Sequence, residues 1–121
     1  MKLWKRKNMS PFEALKTDFP MIFDKDFFFE IKDGWIPLIR EMCSELMALP
    51  PHSIEKAAQV KSKFGSLRFY PENYSESMQN IIQRYEIKSS YICENCGTGI
   101  TERENVNYFK SQCVICLVDS A

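Results

Sequence analysis

The amino-acid sequence predicts a small single α+β domain: two main helices and a β-hairpin, closed by a C-terminal four-cysteine zinc ribbon. Three observations predict it. Apolar residues recur at helical spacing from Trp35 to Met47 and again from Met78 to Tyr85. A basic, alternating stretch around Phe64-Gly65-Ser66 has the form of two strands about a tight connection. Four of the five cysteines fall in the last thirty residues, as two C-x2-C pairs. A length of 121 residues fits one domain or one domain with a small appendage. The division is a body over 1–90 and a ribbon over 91–121. The ribbon is expected to pack on the body, because only Ser89-Ser90-Tyr91 separates it from the preceding helix.

The composition narrows the class of protein. Hydrophobic residues make up 45% of the chain and aromatics 13%, enough for a packed core, so disorder is not the default. Lys and Arg number 16 against 16 Asp and Glu, so the molecule as a whole carries no strong field for polyanions. No run of about 18 apolar residues exists to span a membrane. The basic start, Met1 to Asn8, is not followed by the apolar stretch that a signal peptide needs. A cytoplasmic location is therefore expected, where thiols stay reduced and a cysteine cluster favours metal over disulfides.

Each element has its own signals. Ser10-Pro11-Phe12-Glu13 is a helix start, with Ser10 to cap, Pro11 at the first turn and Glu13 in the capping-box position. The helix runs over about 11–17 and ends near Phe19, which Pro20 keeps out of helical geometry. Residues 19–31 are dense in phenylalanine, interrupted by Asp24, Lys25 and Asp26. They form either a loop and short extended piece packed on the core or a partly exposed aromatic patch serving as a partner site. Asp33-Gly34-Trp35 opens the clearest helix, with Asp33 as its N-cap and Pro37 in the first turn. Trp35, Leu38, Ile39, Met42, Cys43, Leu46 and Met47 make one apolar stripe, and the helix stops before Pro50-Pro51. Cys43 lies on that stripe and reads as a small core residue. In the hairpin, Lys56 to Tyr70, Ala58 and Val60 alternate with Gln59 and Lys61. Lys61, Lys63 and Arg68 project from it beside Phe64 and Tyr70. This is an ordinary solvated face or, alternatively, a basic and aromatic surface for single-stranded nucleic acid. A second good helix starts at Ser75-Glu76 and runs to about Lys88.

The strongest chemistry is in the tail. Cys93-Glu94-Asn95-Cys96-Gly97 and Cys113-Val114-Ile115-Cys116 are separated by sixteen residues. Two thiolates two residues apart reach one ion when the chain forms a tight knuckle, and Gly97 accepts the positive φ that such a turn asks for. Cys93, Cys96, Cys113 and Cys116 would then hold one structural Zn2+ per chain, with no open coordination position. An iron–sulfur centre is the main competitor, and a pair of disulfides suits a reducing compartment less well. The residues from Thr98 to Gln112 have the length of a connecting hairpin. No Ser/His/Asp arrangement, no paired-carboxylate motif and no Gly-rich phosphate loop is present, and the single His, His52, lies in a loop. A binding protein is therefore expected rather than an enzyme.

These segments also resemble a known family. Asp33-Gly34-Trp35 with Leu38-Ile39, then Gln59-Val60-Lys61-Ser62-Lys63-Phe64-Gly65-Ser66-Leu67-Arg68-Phe69-Tyr70, then Cys93-Glu94-Asn95-Cys96-Gly97 and a final C-x2-C, are similar to the shared core of a widespread set of small bacterial, prophage and phage proteins. The resemblance spans about 19–116. It implies a gene of mobile elements, with some relatives lying beside toxin modules, and it implies no settled activity. Relatives often carry Gly-Trp before the last cysteine pair, where this chain has Tyr108-Phe109-Lys110.

Two functions follow as expectations. The first is a protein-binding inhibitor, an immunity protein or antitoxin that occludes the active site of a cognate toxin. Its acids would be Glu94, Glu102 and Glu104 on the ribbon or Asp24, Asp26 and Glu30 on the aromatic loop. Its aromatic anchors would be Phe27, Phe28, Tyr108 and Phe109. The second is a phage-derived nucleic-acid-binding regulator using Lys61, Lys63 and Arg68 with Lys2, Lys5, Arg6 and Lys7. The balanced charge makes nucleic acid the lesser expectation, and neither reading involves a membrane or a small-molecule substrate.

Overall fold

The computed structural model describes residues 9–100 together with Cys113, Ile115 and Cys116. Within them lie three α-helices and one antiparallel pair of strands, an α+β arrangement with the cysteines gathered at the C-terminal end. Among the described residues no helix is long and apolar enough to cross a membrane.

Helix α1 spans Pro11–Asp18. Ser10 Oγ accepts from the Glu13 amide at 3.1 Å, filling one of the donors a helix start leaves open. Only Leu15 of this helix is fully buried. The phenylalanine-rich segment that follows is mostly spent on the core. Phe23 lies 4.9 Å from Phe29 and 6.3 Å from Phe69 between ring centroids, and Phe12 stacks on Phe29 at 5.0 Å. Offset and edge-on rings at these spacings bury large apolar area in favourable quadrupole geometry. Phe28 is the exception, at 77% exposure.

A single 3-10 turn, Asp33–Trp35, precedes helix α2, Ile36–Leu46. Asp33 is thus not the N-cap expected from the sequence. The turn begins after Lys32 and has no side-chain cap, and its Gly34 amide bonds instead to the distant Glu94 carbonyl at 2.6 Å. The predicted stripe is otherwise observed: Trp35, Leu38, Ile39, Met42, Cys43 and Leu46 are buried. Burial pushes the Cys43 thiol up to about 12, so it packs as a neutral group.

Strands β1, Ala57–Lys63, and β2, Ser66–Pro71, form the hairpin, with Lys61 opposite Arg68 and Gln59 opposite Tyr70. A bulge between Ala57 and Gln59 changes the expected alternation. Ala58 is the inserted, exposed residue, and Ala57 joins Val60 in the core. Both turn residues have positive φ, Phe64 at 53° and Gly65 at 78°, the pattern of a type I′ turn whose twist suits a two-residue hairpin. Both outer edges of this small sheet are blocked. On β1, the Glu30 amide bonds to the Val60 carbonyl and the Ala57 amide to the Ile22 carbonyl. On β2, the Leu67 amide donates to Ser89 Oγ and the Phe69 amide to the Glu86 carboxylate. Side chains of the next helix therefore satisfy the strand edge that would otherwise pair with another chain.

That helix, α3, spans Glu76–Ser89 with Ser75 as cap to the Met78 amide. Met78, Ile82 and Tyr85 face inward, while the Tyr85 hydroxyl reaches the Glu45 carboxylate of α2. Arg84–Glu45 at 2.6 Å and Lys88–Glu41 at 3.7 Å add ion pairs between the same two helices, exposed and hence individually weak.

Candidate metal centre

The chain leaving α3 makes a short turn and then a knuckle. Ile92 and Gly99 form an antiparallel bridge, and the Ile100 amide donates to the Tyr91 carbonyl at 2.7 Å, so the two arms are tied. Between them the Cys93 amide donates to the Thr98 carbonyl at 2.7 Å and the Gly97 amide to the Cys93 carbonyl at 2.9 Å. Gly97 has φ +83°, the left-handed value the sequence anticipates there. This closed turn aims Cys93 and Cys96 at the same point.

Cys113 and Cys116 complete a cluster whose four sulfurs all lie within 4.8 Å of one another. The Cys96 and Cys113 sulfurs are 3.7 Å apart. Four ligands at about 2.3 Å from one ion, set tetrahedrally, stand about 3.8 Å from each other. The arrangement therefore fits a metal ion held by four sulfurs. All five cysteines are free thiols. Cys93 and Cys113 are buried, Cys116 half-buried and Cys96 exposed.

The thiols differ in acidity. The Thr98 hydroxyl and amide, both hydrogen-bonded to the Cys96 sulfur, hold that thiol down at about 6. Cys116 is pushed up to about 12, first by its hydrogen bond to Cys113 and then by burial. A cation replaces such shared protons, since each ligand must be a thiolate to bind.

The knuckle is locked onto the body at the 3-10 turn. The Gly34 amide bonds to the Glu94 carbonyl, and the Trp35 Nε1–H donates to the Ile92 carbonyl at 2.9 Å. The Lys32 amide donates to the Glu94 carboxylate at 3.2 Å. A Cβ on Gly34 would stand 2.2 Å from the Cys93 carbonyl oxygen and 2.3 Å from that of Glu94. Only glycine leaves room for the knuckle at this point. Asp33-Gly34-Trp35, taken in the sequence for a helix start, is thus also the seat of the metal centre. A glycine placed immediately before a tryptophan at a helix entry was the available signal, since such a glycine often marks a close backbone approach.

The structure sorts the remaining site residues. Glu94 is only 8% exposed and its carboxylate is engaged by Lys32, so it faces the body rather than a partner. Phe27 is half-buried against the core, edge-on to Phe29 at 4.9 Å, which leaves Phe28 as the open aromatic of that pair. Lys61, Lys63 and Arg68 lie together on the outward face of the hairpin. Glu102, Glu104, Tyr108 and Phe109, the hairpin between the cysteine pairs, and Lys2, Lys5, Arg6 and Lys7 lie outside the described residues. Compared with known family models, with curated proteins and with solved structures, the chain gives no match.

Proposed function

We propose that the chain is a zinc-stapled protein inhibitor, an immunity protein of the bacterial cytoplasm that binds a cognate toxin and covers its active site. The ion is Zn2+, because four thiolates in a tetrahedral set suit a redox-inert d10 ion and leave no open position for catalysis. Its role is to staple the tail to the body.

The observation that carries the inhibitor reading is the Phe28 surface. Phe28 stands exposed beside a concavity of about 210 Å³ lined by Phe12, Glu13, Lys16, Phe27, Phe28 and Phe29. An aromatic next to an apolar recess is the anatomy of an interface centre, where a partner side chain enters and water is excluded. Of the acids, Glu13 lines it, paired with Lys16 at 3.0 Å, and Asp24, Asp26 and Glu30 are exposed in the segment that carries Phe27 to Phe29. Lys56 pairs with Asp24 and Gln59 donates to Glu30, whereas Asp26 has no ion-pair partner among the described residues. Acids exposed on this segment complement the basic cleft of a toxin that acts on nucleic acid.

The test is co-expression with the toxin encoded beside this gene. Rescue of growth and a 1:1 complex on gel filtration are expected, and Phe28→Ala should weaken the complex at least tenfold. Persistent toxicity with folded, zinc-loaded protein present would end the proposal. Elemental analysis should give about one zinc per chain.

A further inference from the structure

Three features meet on the outward face of the hairpin, and each is locally unfavourable. The first is Phe64, at φ 53°, where a type I′ turn ordinarily takes Asn, Asp or Gly. A bulky side chain in the left-handed region is an outlier, and such outliers concentrate where a site requires them. The second is exposure of rings: Phe64 is 62% exposed and Tyr70 40%. The third is a like-charge pair, Lys61 directly opposite Arg68, which destabilises a sheet. Lys63 sits one pair further on, its Nζ 5.7 Å from the centre of the Phe64 ring. Among the described residues neither Lys61 nor Lys63 has an ion-pair partner, and Arg68 has only Glu86 at 4.0 Å. Arg68 Nε is buried with no hydrogen-bond partner. Ser66 and Arg68 also line a groove of about 320 Å³ that runs between β2 and the end of α3, with Glu86, Ile87, Ser90 and Tyr91 on its far side.

We propose that this face binds single-stranded nucleic acid, with Lys61, Lys63 and Arg68 on the phosphates and Phe64 and Tyr70 as stacking platforms. The alternation of cation and ring selects the ligand. Phosphates need the cations, and unpaired bases need flat apolar faces that tolerate any sequence. An acidic protein would use the cations and leave the rings wet. A duplex hides its base faces and would use the cations only. The groove beside Arg68, lined also by Gln83, Ser90 and Tyr91, offers a base an edge to occupy. The chain's zero net charge does not oppose this reading, since binding responds to the local surface and not to the sum. The proposal is independent of the inhibitor reading, because it uses the opposite kind of charge on different residues.

The experiment is fluorescence anisotropy with the zinc-loaded full chain and labelled oligonucleotides of about 12 nucleotides, single-stranded and duplex, DNA and RNA. Three phosphate contacts on a single strand give a slope of about −2 in log affinity against log salt, a loss of about 20-fold between 50 and 200 mM. Single strands should bind more tightly than duplex. Lys61→Gln should reduce the slope by about 0.7. Phe64→Asn is the decisive variant. Asn suits the turn better than Phe, so the protein should melt at the same or a higher temperature while binding falls at least fivefold. A stable Phe64→Asn protein that binds single strands unchanged overturns the proposal. So does the absence of binding at 50 mM salt, or a preference for duplex.

Discussion

The body and the knuckle of this chain are held by different forces. In the body, from Leu15 to Tyr85, eighteen buried side chains form one apolar cluster. Fully burying one such side chain stabilises by about 1.5–3 kcal/mol, which makes this cluster the main favourable contribution to the order of the helices and hairpin. The knuckle's own cluster among the described residues is Cys93, Ile100 and Cys113, with Cys116 against it. Three of those four are candidate metal ligands, which leaves one purely apolar residue. Among the described residues the knuckle has little apolar area of its own; it is held by its dock on Gly34 and Trp35 and by whatever ion its four cysteines could take. Where apolar area is scarce, a metal supplies the cross-link that a core supplies elsewhere.

The largest expected effect on the knuckle comes from removing the metal. A chelator should unfold the knuckle and break the hydrogen bonds that join it to Lys32, Gly34 and Trp35. Three such bonds at about 1 kcal/mol each would lower the body's stability by about 3 kcal/mol, read by urea melts with Trp fluorescence. A body whose midpoint does not move would show that the two regions are independent. Acid should act the same way. The Cys116 proton, held to about 12 in the metal-free site, has to leave for the ion to bind. That proton alone makes metal affinity fall about tenfold for each pH unit downward, and a metal titration at pH 6, 7 and 8 measures it.

Next is Leu46→Ala, a cavity in the body far from the cysteines. It should destabilise by about 2–5 kcal/mol in the same melts while the metal content of the folded protein stays unchanged. Gly34→Ala should have a smaller effect on the body, about 1–3 kcal/mol, but should weaken metal retention against a competing chelator. Its Cβ meets backbone oxygens of Cys93 and Glu94, which cannot swing aside as a side chain can. If it leaves both quantities untouched, the close approach of Gly34 to the knuckle does not hold the two regions together. The smallest effect is expected for Ser75→Ala, about 1 kcal/mol from a lost helix cap, with no effect on metal.

Much of this molecule is legible in its sequence. The helix carrying Trp35 to Leu46 announces itself through periodicity, because a stripe at 3.6-residue spacing has one way to be buried. The hairpin centred on Phe64-Gly65 and the caps at Ser10 and Ser75 are equally local, each set by a few neighbouring residues. The four ligands are legible from spacing alone, since two C-x2-C pairs constrain sulfur positions within each pair. Misreadings arose where a distant segment intervened. Ala58 looked inward by alternation, yet a bulge put Ala57 there, where its amide is held by the Ile22 carbonyl. Asp33 looked like a cap, yet the Gly34 amide is taken by Glu94, sixty residues away in the chain.

By itself, then, the sequence determined the elements and which four cysteines could share an ion, because both depend on contacts within a few residues. Only the tertiary structure decided which surfaces remain open. It buried Glu94 and most of Phe27, and it left Phe28 and Phe64 exposed. It also set the three hairpin cations on one side of the molecule and made Gly34 the seat of the knuckle. Exposure is what remains after every element has packed, so no local pattern of residues encodes it.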